Sequence, residues 1–406
     1  MIHREYFKKG LTVMGMLALV LGISVCTGCN NQSIKETIAT ITAEEEKSGV
    51  VSEEGSTVIE LNTDSAQVSG DGVQTDGNTV TVKADGTYIL RGSLNGCVIV
   101  EAAEDAEVNL VLDGAEITNE GDAAIYVKSA DRVTITLAEG SSNTLASAGE
   151  YTDPEGKING TVYSKEDLTV NGSGSLTVTS EKGHGIVSKD DLIIEDGSIT
   201  VDAAKDGLHA KETLTVEGGS ITVKAAEGIE STGVVINDGE ITIEASDDGI
   251  NASQKDENAG TPYVEINGGT VTITMASGDT DGIDANGNIY INGGTVNITA
   301  RSPFDYDGEA VHNGGTIIVN GEEIDEITNQ FGGEGGGFKG GFEQGGRNGE
   351  NAPEGFEPGN LPEGFEPGNM PEGFEKGDRP ERPDGGNRPE GGGKRENRGG
   401  ETDDTI

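Results

Sequence analysis

The chain has 406 residues, with 73 acidic against 27 basic side chains and a formal net charge of −46. A field of that sign repels nucleic acid and anionic lipid, so neither is expected as a direct partner. Glycine numbers 65, many of these falling between strand-like runs, which excludes a helix-rich fold.

Arg4, Lys8 and Lys9 precede an apolar run from Leu11 to Val25, the layout of a secretory signal rather than a membrane span of the mature protein. The run ends in Cys26-Thr27-Gly28-Cys29. A small residue before a cysteine resembles the bacterial lipobox, although Cys26 stands where Leu or Val is usual. The expectation is a signal peptide over residues 1–28 and a lipidated Cys29 as first mature residue. Plain secretion and an uncleaved anchor are the alternatives. The protein is then exported, held at the outer face of the cell membrane through the lipid. Cleavage leaves only Cys29 and Cys97, so no disulfide framework is available. Cys97 reads as a small buried strand residue. Residues 29–55, polar and containing Glu44-Glu45-Glu46, read as a tether.

From Ser56 to Lys182 short runs alternate apolar and polar residues: Thr79-Val80-Thr81-Val82, Gly86-Thr87-Tyr88-Ile89-Leu90, Val98-Ile99-Val100, Val108 to Leu112, Ala124 to Val127 and Val133 to Leu137. These are strand signals. The stretch from Ser141 to Asn159 carries none and reads as a surface loop. The order Gly86 to Leu94, Val111 to Asn119, Ala123 to Val127 and Val133 to Gly140 resembles the signature of a family of bacterial carbohydrate-binding β-helix proteins. The resemblance spans about Thr57 to Asn329. It implies a pectate-lyase-like fold, bound calcium, and binding of polygalacturonate and cellulose as in the family's clostridial member. It assigns no individual ligand residue here.

Between Gly183 and Val319 one phrase recurs every 21 or 22 residues where nothing is inserted: Gly185-Ile186-Val187-Ser188, Gly207-Leu208-His209-Ala210, Gly228-Ile229-Glu230-Ser231, Gly249-Ile250-Asn251-Ala252 and Gly282-Ile283-Asp284-Ala285. A second phrase, a turn followed by period-2 alternation, lies between the copies, as in Gly218 to Val223 and Gly268 to Ile273. A repeat of this length holding short strands and no helix is one coil of a solenoid. The predicted fold is all-β: a right-handed three-faced parallel β-helix over residues 56–329, with glycines at corners that often need positive φ. Leucine-rich and calcium-roll frames are absent.

Stacked coils place equivalent residues about 4.8 Å apart. The position before each repeated glycine reads His184, Asp206, Glu227, Asp248 and Asp281; two after it stand Val187, His209, Glu230, Asn251 and Asp284. Asp247, Asp279, Asp305, Asp307 and Glu309 fall on flanking turns. Carboxylates one coil apart repel by about 3 to 4 kcal/mol at an effective dielectric of about 20. A row of them calls for a cation, and Asp, Glu and Asn oxygens suit calcium better than zinc. The candidate ligands are Asp206, Glu227, Glu230, Asp247, Asp248, Asn251, Asp279, Asp281, Asp284, Asp305 and Asp307. Solvated acidic turns are the plainer reading, and His209 reads as a packing residue.

Three functions compete: a sugar-binding module, a lyase or hydrolase on the same scaffold, and a structural stalk or adhesin. The chain has no Trp, and of its Phe residues only Phe304 lies in the coils, so a charged polymer suits it better than a neutral glucan. Tyr263, Tyr290 and Tyr306 are the candidate sugar contacts, with Tyr126 and Tyr163 also available. Calcium would bridge an acidic protein to an acidic polysaccharide. A pectate-type lyase would add a Lys or Arg base, for which Lys205, Lys211 and Arg301 are the candidates. The favoured reading is a non-catalytic, monomeric, calcium-dependent binder of acidic polysaccharide. Residues 330–406 are rich in Gly, Pro and Glu, with a nine-residue repeat carrying Phe356, Phe365 and Phe374. They are expected to be disordered, with the phenylalanines read as relics of repeat expansion and contact with the cell wall as the alternative.

Overall fold

The computed structural model describes residues 49, 51–153, 157–254, 260–278 and 280–329. The signal peptide, Cys29, most of the tether, Asp279 and the tail from 330 lie outside the described residues. All regular structure among the described residues is β, from Thr57 to Ile324. Each repeat gives three short strands, for example Leu208–Ala210, Thr213–Val216 and Ser220–Ala225. Each strand pairs in parallel with its counterpart one repeat later: His209 with Glu230, Thr215 with Val235, Thr222 with Thr242. Three parallel ladders result. Two of them merge into one 21-stranded sheet, because the long strand Glu107–Asn119 pairs with Arg132–Leu137 by its first half and with Ser142–Ser147 by its second. The third ladder stays separate as an 11-stranded sheet. It carries the repeated Gly-Ile phrase and is called the site ladder below.

Alternation points every second side chain inward. On the site ladder Ile186, Leu208, Ile229, Ile250, Ile283 and Phe304 stack in register and are buried. Val201, Val223, Ile243, Ile273 and Ile298 face them from a ladder of the larger sheet. Burying each such side chain contributes about 1.5–3 kcal/mol, so the stack stands in for cross-links.

The glycines fall into two series with different causes. Those of the turns, such as Gly219 (φ 89°) and Gly269 (φ 71°), occupy the left-handed region as expected. Gly185, Gly207, Gly228, Gly249 and Gly282 do not. A Cβ on any of these five would lie 2.1–2.6 Å from Val201, Val223, Ile243, Ile273 or Ile298. Their need is space: a Gly-Ile pair turns two successive residues toward a core that holds one large side chain.

Antiparallel pairs close the ends: Thr57–Thr63 with Ser65–Ser69, Val73–Asp76 with Thr79–Val82, and Thr316–Val319 with Glu322–Ile324. They leave less bare parallel edge for another chain to add to. The stretch read as a strandless loop contains a strand, Ser142–Ser147. Asn143 hides it by filling a core position, where its Oδ1 accepts from the N–H groups of Gly114 and Ala115, each at 2.9 Å. The end of the presumed tether is docked, with Val51 packed on Ile89, Val111 and Ala138 and Glu53 paired to Arg91 at 2.6 Å. Cys97 is half-buried rather than fully enclosed. Burial, with Asp122 nearby, still pushes its thiol up to about 12.

Candidate functional site

Because the inward row of the site ladder is fixed by isoleucine, the residues on either side of each Gly-Ile pair face out in two columns. Asp248, Asp281 and Ser302 are register partners in the first. Backbone N–H groups of Gly185, Gly207 and Gly228 donate to the carbonyls of Asp206, Glu227 and Asp248 at 2.9 Å, which continues that column back to His184. The second column runs Val187, His209, Glu230, Asn251, Asp284 and Asp305 in strict register. Asp305, expected on a turn, lies within the strand Ser302–Tyr306. Toward the N-terminus the same column continues through Tyr163, Tyr126 and Ile99.

The C-terminal part of the columns offers only oxygen. Asn251 Nδ2 donates to Glu227 Oε2 at 3.0 Å and Asp248 Oδ2 at 3.3 Å, while its buried Oδ1 has no hydrogen-bond partner. Burial pushes the Asp248 carboxyl up to about 7, with Asp284, Asp247 and Asp281 adding repulsion. Burial likewise raises Asp284 to about 6, helped by Asp305, Asp281 and Asp307. Carboxyls that hold protons near neutrality are carboxylates whose charge the fold does not neutralise. A donorless amide oxygen among them fits a hard, oxygen-seeking cation. Glu227, Asp248, Asn251, Asp281, Asp284 and Asp305 could therefore hold calcium. Asp247 and Asp307 are exposed beside them.

The N-terminal part mixes nitrogen with oxygen. His184 Nδ1 lies 2.9 Å and His209 Nδ1 2.7 Å from Asp206 Oδ2. His209 Nδ1 is also 2.7 Å from Glu230 Oε2. Ligand atoms of Asp206, Glu227 and Glu230 form a second close group. Burial pushes the Asp206 carboxyl up, but hydrogen bonds from the two imidazoles outweigh it and hold it below the usual carboxylate range.

A row of lysines borders the tyrosines. Lys165, Lys189 and Lys211 follow strands of successive coils, their N–H groups bonded to Val127, Ser164 and Ser188 one coil back. Lys165 Nζ sits 5.7 Å from the Tyr126 ring centroid and Lys189 Nζ 5.6 Å from that of Tyr163. Among the described residues neither ammonium pairs with a carboxylate. Burial lowers the pKa of Lys189, with Asp206 opposing. Sequence reasoning passed over Lys165 and Lys189; a lysine directly after three consecutive coil strands was the available signal.

The other candidates lie elsewhere. Tyr263 and Tyr290 belong to a neighbouring ladder, in strands Tyr263–Ile266 and Asn288–Ile291; Tyr263 covers Gly233, where a Cβ would come within 2.7 Å of the ring. Tyr306 ends the last site-ladder strand, packs on the core, and its OH donates to the Ile327 carbonyl at 3.5 Å. Lys205 is exposed next to Asp206, and Arg301 is exposed just before Ser302.

A sequence profile of the family described as carbohydrate-binding domain-containing protein matches residues 76–233 and 226–330, together more than half of the 406 residues. A protein of Acetivibrio thermocellus with the same description is 41% identical over 137 residues, 33% of this chain. The match spans about half of that relative, 48% of its length. A solved structure, the polysaccharide lyase-like protein from C. thermocellum as a gadolinium derivative, is similar over 66% of this chain and 95% of its own, at 31% identity and a TM-score of 0.47.

Proposed function

The chain belongs to the family of carbohydrate-binding domain-containing proteins, and from that premise we propose that it binds an acidic polysaccharide of the polygalacturonate type through calcium, without cleaving it. The observation that carries the reading is the stacking of Asp248 on Asp281 and of Asn251 on Asp284 and Asp305, beside the donorless Asn251 oxygen. Calcium accepts about six to eight oxygens in flexible geometry. The outward side of the columns leaves coordination positions for carboxylates of the polymer, and an ion shared between the two turns repulsion into a bridge. Lys165 and Lys189 would meet further carboxylates of the same chain directly. From Tyr163 to Asn251 is four coil steps, about 19 Å, which suits an extended polymer rather than a single sugar. Cellulose draws support only from the half-buried Tyr126.

A second reading rests on Lys189. A lysine whose ammonium is weakened by burial, beside a column that could hold calcium, has the attributes of the base in a pectate-type lyase. One assay separates the readings. The purified chain is passed over immobilised polygalacturonate with calcium and with chelator, while ultraviolet absorbance of unsaturated uronate is followed. Retention that chelation abolishes, without product, supports the binder. Product makes the protein a lyase. No retention in either condition sinks both and leaves a structural stalk. We further read Cys29 as the lipid anchor of an exported protein; labelled fatty acid that is incorporated equally by Cys29→Ser would overturn that.

A further inference from the structure

We propose that the cluster of His184, Asp206, His209 and Glu230 binds a divalent transition-metal ion, at a centre separate from the oxygen-only stretch that suits calcium. Four side chains from three consecutive coils converge here. Nδ1 of His184 and Nδ1 of His209 both face Asp206 Oδ2, at 2.9 and 2.7 Å, and His209 Nδ1 faces Glu230 Oε2 at 2.7 Å. The rings meet edge to face with centroids 5.5 Å apart. All four side chains are largely enclosed, with exposures of 12% for His184, 7% for Asp206, 13% for His209 and 15% for Glu230.

Hydrogen bonding alone satisfies this arrangement poorly. An imidazole Nδ1 carries at most one hydrogen, yet His209 Nδ1 has a carboxylate oxygen on each of two sides. His184 Nδ1 faces Asp206 Oδ2 as a donor would, and also stands 3.4 Å from the Asp206 backbone N–H as an acceptor would. One protonation state cannot serve both contacts. The ligand atoms of His184, Asp206 and His209 all lie within 4.8 Å of one another, with Glu230 joined through His209, and lone pairs so gathered are what ligands of an ion present. With metal bonds of about 2.0–2.1 Å, neighbouring ligand atoms at right angles lie about 2.9 Å apart, close to the separations found. Glu227 completes the surroundings, its ligand atom grouped with those of Asp206 and Glu230.

Donor chemistry separates this centre from the next coils. Two imidazole nitrogens with carboxylates favour zinc, cobalt, nickel or manganese over calcium, which takes oxygen. From Asp248 onward both columns supply oxygen alone: Asp248, Asn251, Asp281, Asp284, Ser302 and Asp305. The histidines sit where the acidic columns begin, so the two chemistries are adjacent, with Glu227 bordering both.

The test uses the full chain, stripped with chelator and refilled with saturating calcium, then titrated with cobalt(II) and zinc(II). The expected result is one equivalent of cobalt that produces visible d–d bands, is displaced by zinc, and leaves calcium binding intact. His209→Gln should weaken cobalt binding about a hundredfold and alter the bands, and His184→Gln should do the same, while Asp248→Asn should change neither. Absence of cobalt bands in the wild-type chain would overturn the proposal without any variant, leaving a hydrogen-bonded His-Asp-His group. Bands that persist unchanged in both folded histidine variants would overturn it too. Retention on polygalacturonate in zinc-free calcium buffer reads the calcium proposal separately, so either can fail alone.

Discussion

Asp248 and Asp281 occupy the same register on adjacent parallel strands, so their carboxylates are held one coil spacing apart. The electrostatic result is concentrated in Asp248, raised to about 7, and in Asp284, raised to about 6. A folded-state pKa above the unfolded value means that the native chain binds protons more tightly. Stability from these groups is then present in full below the unfolded pKa and is lost progressively as pH rises from there through the folded one. In metal-free buffer the melting temperature should therefore fall by a few degrees between about pH 5 and pH 8. Asp248→Asn/Asp284→Asn should flatten the part of that slope that remains above the general self-repulsion of the acidic chain. Saturating calcium should raise the melting temperature at pH 8 more than at pH 5, where protons compete for the same oxygens. An equal calcium shift at both values, read by differential scanning fluorimetry, would remove these carboxylates from the ion's ligands.

The second prediction concerns Lys165 and Lys189, placed over Tyr126 and Tyr163 at the other end of the same ladder. Charge-assisted hydrogen bonds contribute about 1.5–3 kcal/mol each. Lys165→Gln/Lys189→Gln should weaken polygalacturonate binding by about tenfold or more. Calcium affinity, measured by calorimetry without polymer, should stay as in the parent. Unchanged polymer binding would place the polysaccharide off this row.

The two columns could be read from sequence because Gly-Ile recurs with fixed phase, and phase sets which neighbours face out. The reading failed where the phase signal was disguised. In Ser302-Pro303-Phe304-Asp305 the inward place is taken by Phe304 and no Gly-Ile marks it, so Asp305 passed for a turn residue. Ser142–Ser147 escaped because Asn143 is buried by hydrogen bonds where an apolar residue is expected. Tyr263 and Tyr290 were candidates as aromatic residues of the coils, but alternation does not say which ladder carries a residue, and they lie on a neighbouring one. The His184–Asp206–His209 convergence is diagonal: it joins one column to the other across two coils, a relation that comparing like positions down a column does not reveal.

The third prediction isolates space from backbone conformation. Gly228 has no positive φ, yet a Cβ would lie 2.4 Å from both Ile243 Cγ2 and the Gly249 carbonyl oxygen. Gly228→Ala should cost about 1–3 kcal/mol by overpacking and displace its neighbours Glu227 and Glu230, weakening metal binding as well. Ile243→Ala in the same chain should recover part of the metal affinity, since it removes one of the two clashes. If Gly228→Ala melts like the parent, the glycine series has another cause.

The fourth prediction concerns a ladder with no apolar signature. Asn267 Nδ2 donates to Asn237 Oδ1 at 2.9 Å, Asn292 Nδ2 to Asn267 Oδ1 at 2.8 Å, and Asn313 Nδ2 to Asn292 Oδ1 at 2.8 Å. Asn267 and Asn292 each accept from the coil after and donate to the coil before, so the row ties together turns that carry positive-φ glycines. Asn267→Ala breaks two links at once and leaves the amides of Asn237 and Asn292 each short of one partner. Because the row is near the surface, water replaces much of what is lost, and the cost should be about 1 kcal/mol rather than the larger penalty of a buried orphan. Asn267→Asp tests direction as well as loss: its carboxylate can still accept from Asn292 but cannot donate to Asn237, so urea unfolding should place it between Asn267→Ala and the parent. Asn267→Asp at least as destabilised as Asn267→Ala would mean that charge repulsion in this acidic chain outweighs the retained hydrogen bond.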